Sequence, residues 1–153
     1  MATASSVRRE QAALITFLLW LTWAAAVLLW IGRGTWTAVD DWMLSAPRDW
    51  ADPASLLRDH NQHFSLVPVV IYKTLFSLFG FTDYWPYRVL GVGIHLSLVV
   101  VVRLCIRRVG VGPWMATATA GCLALFNGGG LVLSQFQMPL GLLSFMGESR
   151  RMD

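Results

Sequence analysis

The acidic and imidazole side chains of this sequence are concentrated in one polar stretch, residues 40–63. The stretch carries five of the nine acidic residues and two of the three histidines. Asp40 and Asp41 are adjacent in it, and two neighbouring carboxylates can serve as a general base and its orienting or metal-binding partner. The alternative is a pair of solvated charges that keeps this segment in water. Asp40 and Asp41 are therefore the candidate catalytic residues.

His60 and His63 form a second candidate group in the same stretch. Their spacing of three residues places both imidazoles on one face if the segment is helical. A metal ion would need further ligands, which Asp40 or Asp41 would have to supply. The alternative is a hydrogen-bonding pair at the surface. The sequence leaves the cofactor open, with a divalent metal ion as one alternative.

The composition surrounding this stretch is that of a membrane protein. The chain has 153 residues, of which 56% are hydrophobic, 14% are charged and eight are Trp, whereas soluble domains carry about 25% charged residues. We therefore expect an all-α integral membrane protein. The net charge of +3 comes from scattered Arg residues, which argues against a nucleic-acid partner, because such partners need clustered basic residues.

Three apolar segments are long enough to cross a bilayer, which takes about 20 residues. They cover roughly residues 12–31, 86–106 and 114–133. The first also resembles a signal peptide, but the apolar region of a signal peptide is only about 7–15 residues long, so we expect a retained helix. Two polar tails flank this membrane domain of residues 11–133. Residues 1–10, with Arg8 and Arg9, are expected in the cytoplasm, and residues 134–153 form the second tail.

Residues 64–80 permit two topologies. The segment is apolar but short and contains Lys73, so it is either a fourth transmembrane helix or a juxtamembrane helix in the interface. The positive-inside rule places the turn at Arg107 and Arg108 in the cytoplasm. That placement favours three transmembrane helices plus one juxtamembrane helix, with residues 32–85 outside.

Two local features predict contacts within this arrangement. Asp52 followed by Pro53 predicts the start of a short helix over about residues 53–59, with Asp52 as N-cap. His95 lies in an apolar segment beside Gly91 and Gly93, and small residues permit close helix packing. We therefore expect His95 to make a polar contact with a neighbouring helix.

Three cations in or after the polar stretch could bind a lipid phosphate at the interface: Arg58, Lys73 and Arg88. The alternative is ordinary snorkelling of long cationic side chains toward the headgroups. A membrane lipid is thus an expected partner.

The order of these features resembles the N-terminal part of the GT-C superfamily of polytopic membrane glycosyltransferases. The most similar type is the bacterial proteins related to protein O-mannosyltransferases and to the aminoarabinose transferase of lipid A. The resemblance covers roughly residues 10–130. The segments that carry it are Asp40-Asp41-Trp42, residues 60–63 with Pro68, Leu78-Phe79-Gly80, and Tyr87-Arg88.

The resemblance implies transfer of a sugar from a polyprenyl-phosphate donor to an extracytoplasmic acceptor, at a bacterial plasma membrane. Asp40 would be the base, with Asp41 beside it. Lys73, Arg58 and Arg88 would hold the donor phosphate. The resemblance also implies that residues 64–80 are juxtamembrane.

The chain departs from the family in length, because those enzymes have many more spans. We therefore expect a truncated fragment or a half-module that is inactive alone. The alternative is a small non-enzymatic integral membrane protein that acts as a partner subunit. The small residues Gly91, Gly93 and Gly121 would then provide packing faces for other membrane subunits.

Overall fold

The structure, a computed structural model, describes residues 4–34, 39–58 and 65–125, and of residues 39–41 it describes the backbone only. Within these ranges all regular structure is helical, which confirms the all-α prediction. The elements are α1 (Ala4–Ile31) with a 3-10 turn (Gly32–Gly34), α2 (Val39–Ser45), α3 (Pro53–Leu57), α4 (Leu66–Phe79), α5 (Trp85–Arg108) and α6 (Pro113–Leu125).

The helices α1 and α5 are each long and apolar enough to cross a membrane. α5 matches the predicted segment 86–106 to within two residues at each end. α1 instead begins at Ala4, so residues predicted as a polar tail continue the first helix. For α6, the part of the predicted segment 114–133 that follows Leu125 lies outside the described residues.

The helix α4 is shorter than a membrane span. Its 14 residues measure roughly 21 Å at the usual helical rise, whereas the hydrocarbon core of a bilayer is about 30 Å thick. The helix ends at Gly80, whose N–H donates to the carbonyl of Phe76 at 2.8 Å. Gly80 has a φ of +60°, a left-handed conformation that glycine adopts without the steric penalty of a side chain.

The chain divides into two compact units. Unit 1 contains residues up to Arg33 and the segment that starts at Leu90, so its described helices are α1, most of α5, and α6. Unit 2 contains residues 34–89, with α2, α3, α4 and the first turn of α5.

The core of unit 1 is built around small residues of α6. Its buried members come from α1, α5 and α6: Phe17, Ala24, Val99, Ala120 and Ala124. Because alanine side chains are short, α1 and α6 approach closely along this line.

Polar contacts reinforce the packing of α1 on α6. Trp20 Nε1 donates to the carbonyl oxygen of Gly121 at 2.8 Å, and Thr117 Oγ1 donates to the carbonyl of Ala13 at 3.2 Å. A Cβ atom added at Gly121 would lie 3.3 Å from two atoms of the Trp20 ring. Gly121 therefore leaves room for the indole.

The predicted contact of His95 with a neighbouring helix is confirmed. Its Nε2 atom lies 3.1 Å from the carbonyl oxygen of Ala124 in α6. A backbone carbonyl oxygen can only accept, so Nε2 donates this hydrogen bond. The bond ties the middle of α5 to α6.

Replacing Gly121 by leucine should destabilise unit 1. The larger side chain would displace the Trp20 indole and break its hydrogen bond, and overpacking of this kind typically costs about 1–3 kcal/mol. The matched control is Gly93→Leu, because a Cβ at Gly93 meets nothing within 4 Å. Thermal unfolding in detergent should give a lower Tm for G121L than for G93L. Equal Tm values for the two variants would contradict this account of the α1–α6 contact.

Candidate functional site

The candidate site residues with described backbones all belong to unit 2. α2 carries Asp40 and Asp41, and it packs against α4, which carries Lys73. α3 also packs against α4, and Arg58 follows α3 as its C-cap residue. Arg88 lies in the first turn of α5. The fold thus gathers the acidic pair and the three cations in one unit.

Two parts of the predicted site are not described. The side chains of Asp40 and Asp41 lie outside what the structure describes, and so do His60 and His63. Within the described ranges no group of three or more His, Cys, Asp or Glu residues is placed to hold a metal ion. The acidic pair as catalytic group and the histidines as metal ligands both stay predictions.

The predicted start of α3 is confirmed at Asp52 and Pro53. The Asp52 carboxylate accepts a hydrogen bond from the N–H of Ala54 at 3.0 Å, and Pro53 occupies the first helical position. Proline suits that position because its missing N–H would have no partner there. The helix ends at Leu57, two residues before the predicted end.

A buried arginine that the sequence did not single out, Arg48, holds α2 and α3 together. Its Nη1 atom donates to the carbonyls of Ser55 at 2.9 Å, Leu56 at 3.3 Å and Arg58 at 2.8 Å. Its Nε atom donates to the carbonyl of Met43 in α2 at 3.4 Å. The last carbonyls of a helix have no partners within the helix, so the guanidinium completes the end of α3.

The carbonyls stabilise the positive charge of Arg48, and the rest of its environment destabilises it. Only 5% of the residue is exposed. Burial, and to a smaller extent the positive charge of Arg58, lower the pKa of Arg48. A guanidinium nevertheless stays protonated at neutral pH, so Arg48 acts as a charged donor to the carbonyl dipoles around it.

Ser55 stabilises the loop between α2 and α3. Its Oγ atom accepts from the N–H of Asp49 at 2.9 Å and donates to the carbonyl of Asp52 at 2.7 Å. Ser55 and Arg48 are both buried. The loop between α2 and α3 is therefore held by hydrogen bonds to its backbone rather than by apolar packing alone.

A cluster of aromatic rings packs α2, α4 and the start of α5 together. Tyr87 stands at its centre, with ring centroids 4.9 Å from Tyr84, 5.6 Å from Phe81 and 5.8 Å from Tyr72. Trp42 of α2 joins the cluster through Phe81, at 5.6 Å between centroids. Tyr87 and Tyr84 are almost fully buried, whereas 54% of Trp42 is exposed. Trp42 thus anchors the helix of the acidic pair and still presents part of its ring outward.

Two of the three candidate cations lie over aromatic rings. Lys73 Nζ is 5.6 Å from the ring centroid of Phe76, and Arg88 Cζ is 5.7 Å from that of Trp85. Cation–π contacts are worth about 0.5–1 kcal/mol at exposed sites. Attraction of this size orients a cation but is weak enough for it to bind a phosphate as well. The Arg58 residue is exposed.

A second charged cluster, in unit 1, involves residues that the sequence suggested only as markers of topology. Arg107 Nη2 lies 2.6 Å from Glu10 Oε2, and Arg103 Nη2 lies 3.8 Å from Glu10 Oε1. Arg103 is buried, with its Nε atom donating to Thr117 Oγ1 at 3.2 Å and its guanidinium 5.0 Å from the Phe17 ring centroid. The sequence alone did not indicate this pairing, because 97 positions separate Glu10 from Arg107.

These observations define a broad class of protein. The described part of the chain is all-α and has two helices long and apolar enough to cross a membrane. No protein-family model, no curated protein and no solved structure matches it.

Replacing Arg48 by methionine should loosen α3. The carbonyls of Ser55, Leu56 and Arg58 would lose their donor, and a buried unsatisfied polar group costs about 1–3 kcal/mol. Hydrogen exchange at the amides of residues 53–58 should become faster in R48M. The matched control is Arg58→Met, which removes an exposed side chain but leaves the Arg58 carbonyl in place. Unchanged exchange in R48M would show that Arg48 does not hold the end of α3.

Proposed function

We propose that the chain is an integral membrane protein that crosses the bilayer three times, through α1, α5 and α6, with its N-terminus in the cytoplasm. The support is the 2.6 Å contact between Glu10, near the start of α1, and Arg107, at the end of α5. In a three-span topology these two helix ends lie on the same side of the membrane. In the four-span alternative they would lie on opposite sides, about 30 Å apart across the hydrocarbon core.

The properties of α4 support its place in the interface. The helix falls short of the thickness of the hydrocarbon core, as described above. A lysine at the centre of a spanning helix costs about 2.5–3.5 kcal/mol on insertion scales, and Lys73 stands in the middle of α4. In the interface, the ammonium group of Lys73 instead reaches water and headgroups.

Cysteine labelling tests this topology. After Cys105 and Cys122 are replaced by alanine, a cysteine at Gly112 should react with an impermeant maleimide only from the cytoplasmic side. A cysteine at Gly34, just after α1, is the matched control and should react only from outside. No heavy atom comes within 4 Å of a Cβ at either glycine, so neither substitution should disturb packing. Labelling of both cysteines from the same side would rule out the three-span topology.

We further propose that unit 2 provides part of the site of a GT-C type glycosyltransferase on the outer face of the membrane. The observation that carries this proposal is the packing of α2, with Asp40 and Asp41, against α4, with Lys73. It puts a potential base and a potential phosphate-binding cation on two helices in contact. The resemblance in motif order supports the same assignment.

The chemistry assigns different roles to the two kinds of charge. Asp40 accepts the proton of the acceptor hydroxyl as that oxygen attacks the anomeric carbon of the sugar. The bond from the anomeric carbon to the phosphate oxygen breaks, and polyprenyl phosphate leaves with the bonding electron pair. Lys73, with Arg58 and Arg88, stabilises the negative charge that develops on the phosphate. Asp41 orients Asp40 or the acceptor.

Two substitutions separate these roles in native membranes, which supply the remainder of the site together with a polyprenyl-phosphate-linked sugar. Asp40→Asn should lower sugar transfer by about 10²–10⁴-fold, the usual contribution of a general base, and leave donor binding unchanged. Lys73→Gln should weaken donor binding by roughly tenfold or more, because it removes a charged hydrogen-bond donor. Both effects are measured with radiolabelled donor.

The matched control for Asp40→Asn is Asp49→Asn. The Asp49 Oδ1 atom accepts from the N–H of Ala51 at 3.0 Å, and an asparagine side-chain oxygen can accept the same bond. D49N should behave as the unmodified chain does. Unmodified membranes that neither bind donor nor transfer sugar, or transfer that survives in D40N, would reject the glycosyltransferase assignment.

The partner-subunit alternative is supported by Gly93 and not by Gly121. Gly121 faces Trp20 within unit 1, so its small size already has an explanation there. Gly93 is exposed, with no heavy atom within 4 Å of an added Cβ. A helix of another subunit could approach α5 at this position.

A further inference from the structure

One end of unit 1 carries a dense positive charge. The contact between Glu10 and Arg107 brings the start of α1 to the end of α5, and with them come Arg8, Arg9 and Arg108, all of which are exposed. We call the surface formed by Arg8, Arg9, Arg107 and Arg108 the arginine end. Its members are distant in the sequence, which is why the sequence alone shows only two short basic pairs.

Few negative charges offset the positive charge of the arginine end. Among the described residues of unit 1, Glu10 is the sole carboxylate, and it is shared between Arg107 and the buried Arg103. The arginine end and the buried Arg103 together place five arginines beside one glutamate, a net formal charge of +4. The other end of α1 contributes only Arg33, whose guanidinium lies 3.5 Å from the ring centroid of Trp30. The charge of unit 1 is thus strongly asymmetric along α1.

Apolar side chains are exposed among these arginines. Val109 is 79% exposed, Trp114 is 48% exposed and Met115 is 64% exposed, and they occupy the turn after α5 and the start of α6. Exposed apolar groups beside arginines are typical of a surface at the boundary between lipid headgroups and acyl chains. A soluble acidic partner or a nucleic acid would match the charge but would leave these apolar groups in water.

We propose that the arginine end binds the phosphate groups of anionic phospholipids in the leaflet that it meets. Guanidinium groups bind phosphate oxygens in pairs of parallel hydrogen bonds, and the adjacent valine, tryptophan and methionine side chains contact the acyl chains. Arg107 keeps Glu10 in place, so Arg8, Arg9 and Arg108 supply most of the binding. This site does not depend on the glycosyltransferase assignment, because none of its residues belongs to unit 2.

Lipid binding to the purified chain in detergent tests the proposal. Native mass spectrometry with phosphatidylglycerol and phosphatidylcholine of identical acyl chains compares an anionic with a zwitterionic headgroup. Phosphatidylglycerol should bind at least about tenfold more tightly, since each arginine near an anionic surface contributes measurably. The preference should weaken as the salt concentration rises.

The variant R8Q/R9Q/R108Q should lose the preference for phosphatidylglycerol, whereas the control Arg33→Gln should retain it. The Tm of the triple variant in detergent without added lipid should equal that of the unmodified chain, because Arg8, Arg9 and Arg108 are exposed. Equal binding of the two lipids by the unmodified chain would overturn the proposal, and so would a preference that persists in the triple variant.

Glycerol phosphate, which has the charged group but no acyl chains, distinguishes the source of the phosphate. It should not displace phosphatidylglycerol at equal concentration. Complete displacement would overturn the lipid assignment and indicate a soluble phosphate ligand instead. Displacement by polyglutamate at equal concentration would likewise overturn it in favour of an acidic protein partner.

Discussion

The shared contact of Glu10 with Arg103 and Arg107 is the interaction on which the arrangement of unit 1 depends. Arg103 is only 5% exposed, and an unpaired charge in such a place is costly by several kcal/mol. Its Nη2 atom makes no hydrogen bond and lies 3.8 Å from Glu10, so the carboxylate acts on it by Coulomb attraction. Hydrogen bonding to Thr117 and contact with the Phe17 ring add to that attraction. One carboxylate therefore offsets the positive charges of two arginines and holds the start of α1 beside the end of α5.

Unit 2 depends on an arginine in a different way. α2 has seven residues and α3 has five, and helices of that length are not stable alone in water. Arg48 donates to carbonyls of both segments, and the aromatic rings around Tyr87 pack α2 onto α4. The charge of Arg48 is stabilised by carbonyl dipoles, whereas that of Arg103 is stabilised by a carboxylate. The helix with the acidic pair is thus held in place by a residue to which the proposal assigns no chemical step.

Local sequence signals predicted the features that local physics determines. The helix start at Asp52 and Pro53 follows from which groups can complete a helix end, and the contact of His95 follows from the cost of an unsatisfied imidazole among apolar groups. The lengths of the apolar segments predicted α1 and α5, because the number of apolar residues decides whether a helix can cross a bilayer. Glu10 and Arg48 were missed because folding supplies their partners: residues 10 and 107 meet only once unit 1 has folded. The start of α1 at Ala4 was missed for a similar reason, because the arginine that pairs with Glu10 comes from α5. The helix that carries Lys73 was predicted as residues 64–80, but α2, which carries Asp40 and Asp41, was not predicted, and neither was its packing on α4.

The structure also changes which residues support the functional proposal. Gly80 ends α4 with a positive φ, and the hydroxyl of Tyr87 donates to its carbonyl at 3.0 Å, so folding alone explains why these two residue types stand there. Trp42 likewise has a packing role against Phe81. Residues that any stable helical turn would need cannot distinguish a glycosyltransferase from another membrane protein. Lys73 is different, because neither helix formation nor apolar packing requires a lysine in the middle of α4. Asp40 and Asp41 stand in the first turn of α2, where acidic residues also favour helix formation. The proposal therefore depends chiefly on Lys73 and on the contact of its helix with α2, and the order of the surrounding motifs is weaker support.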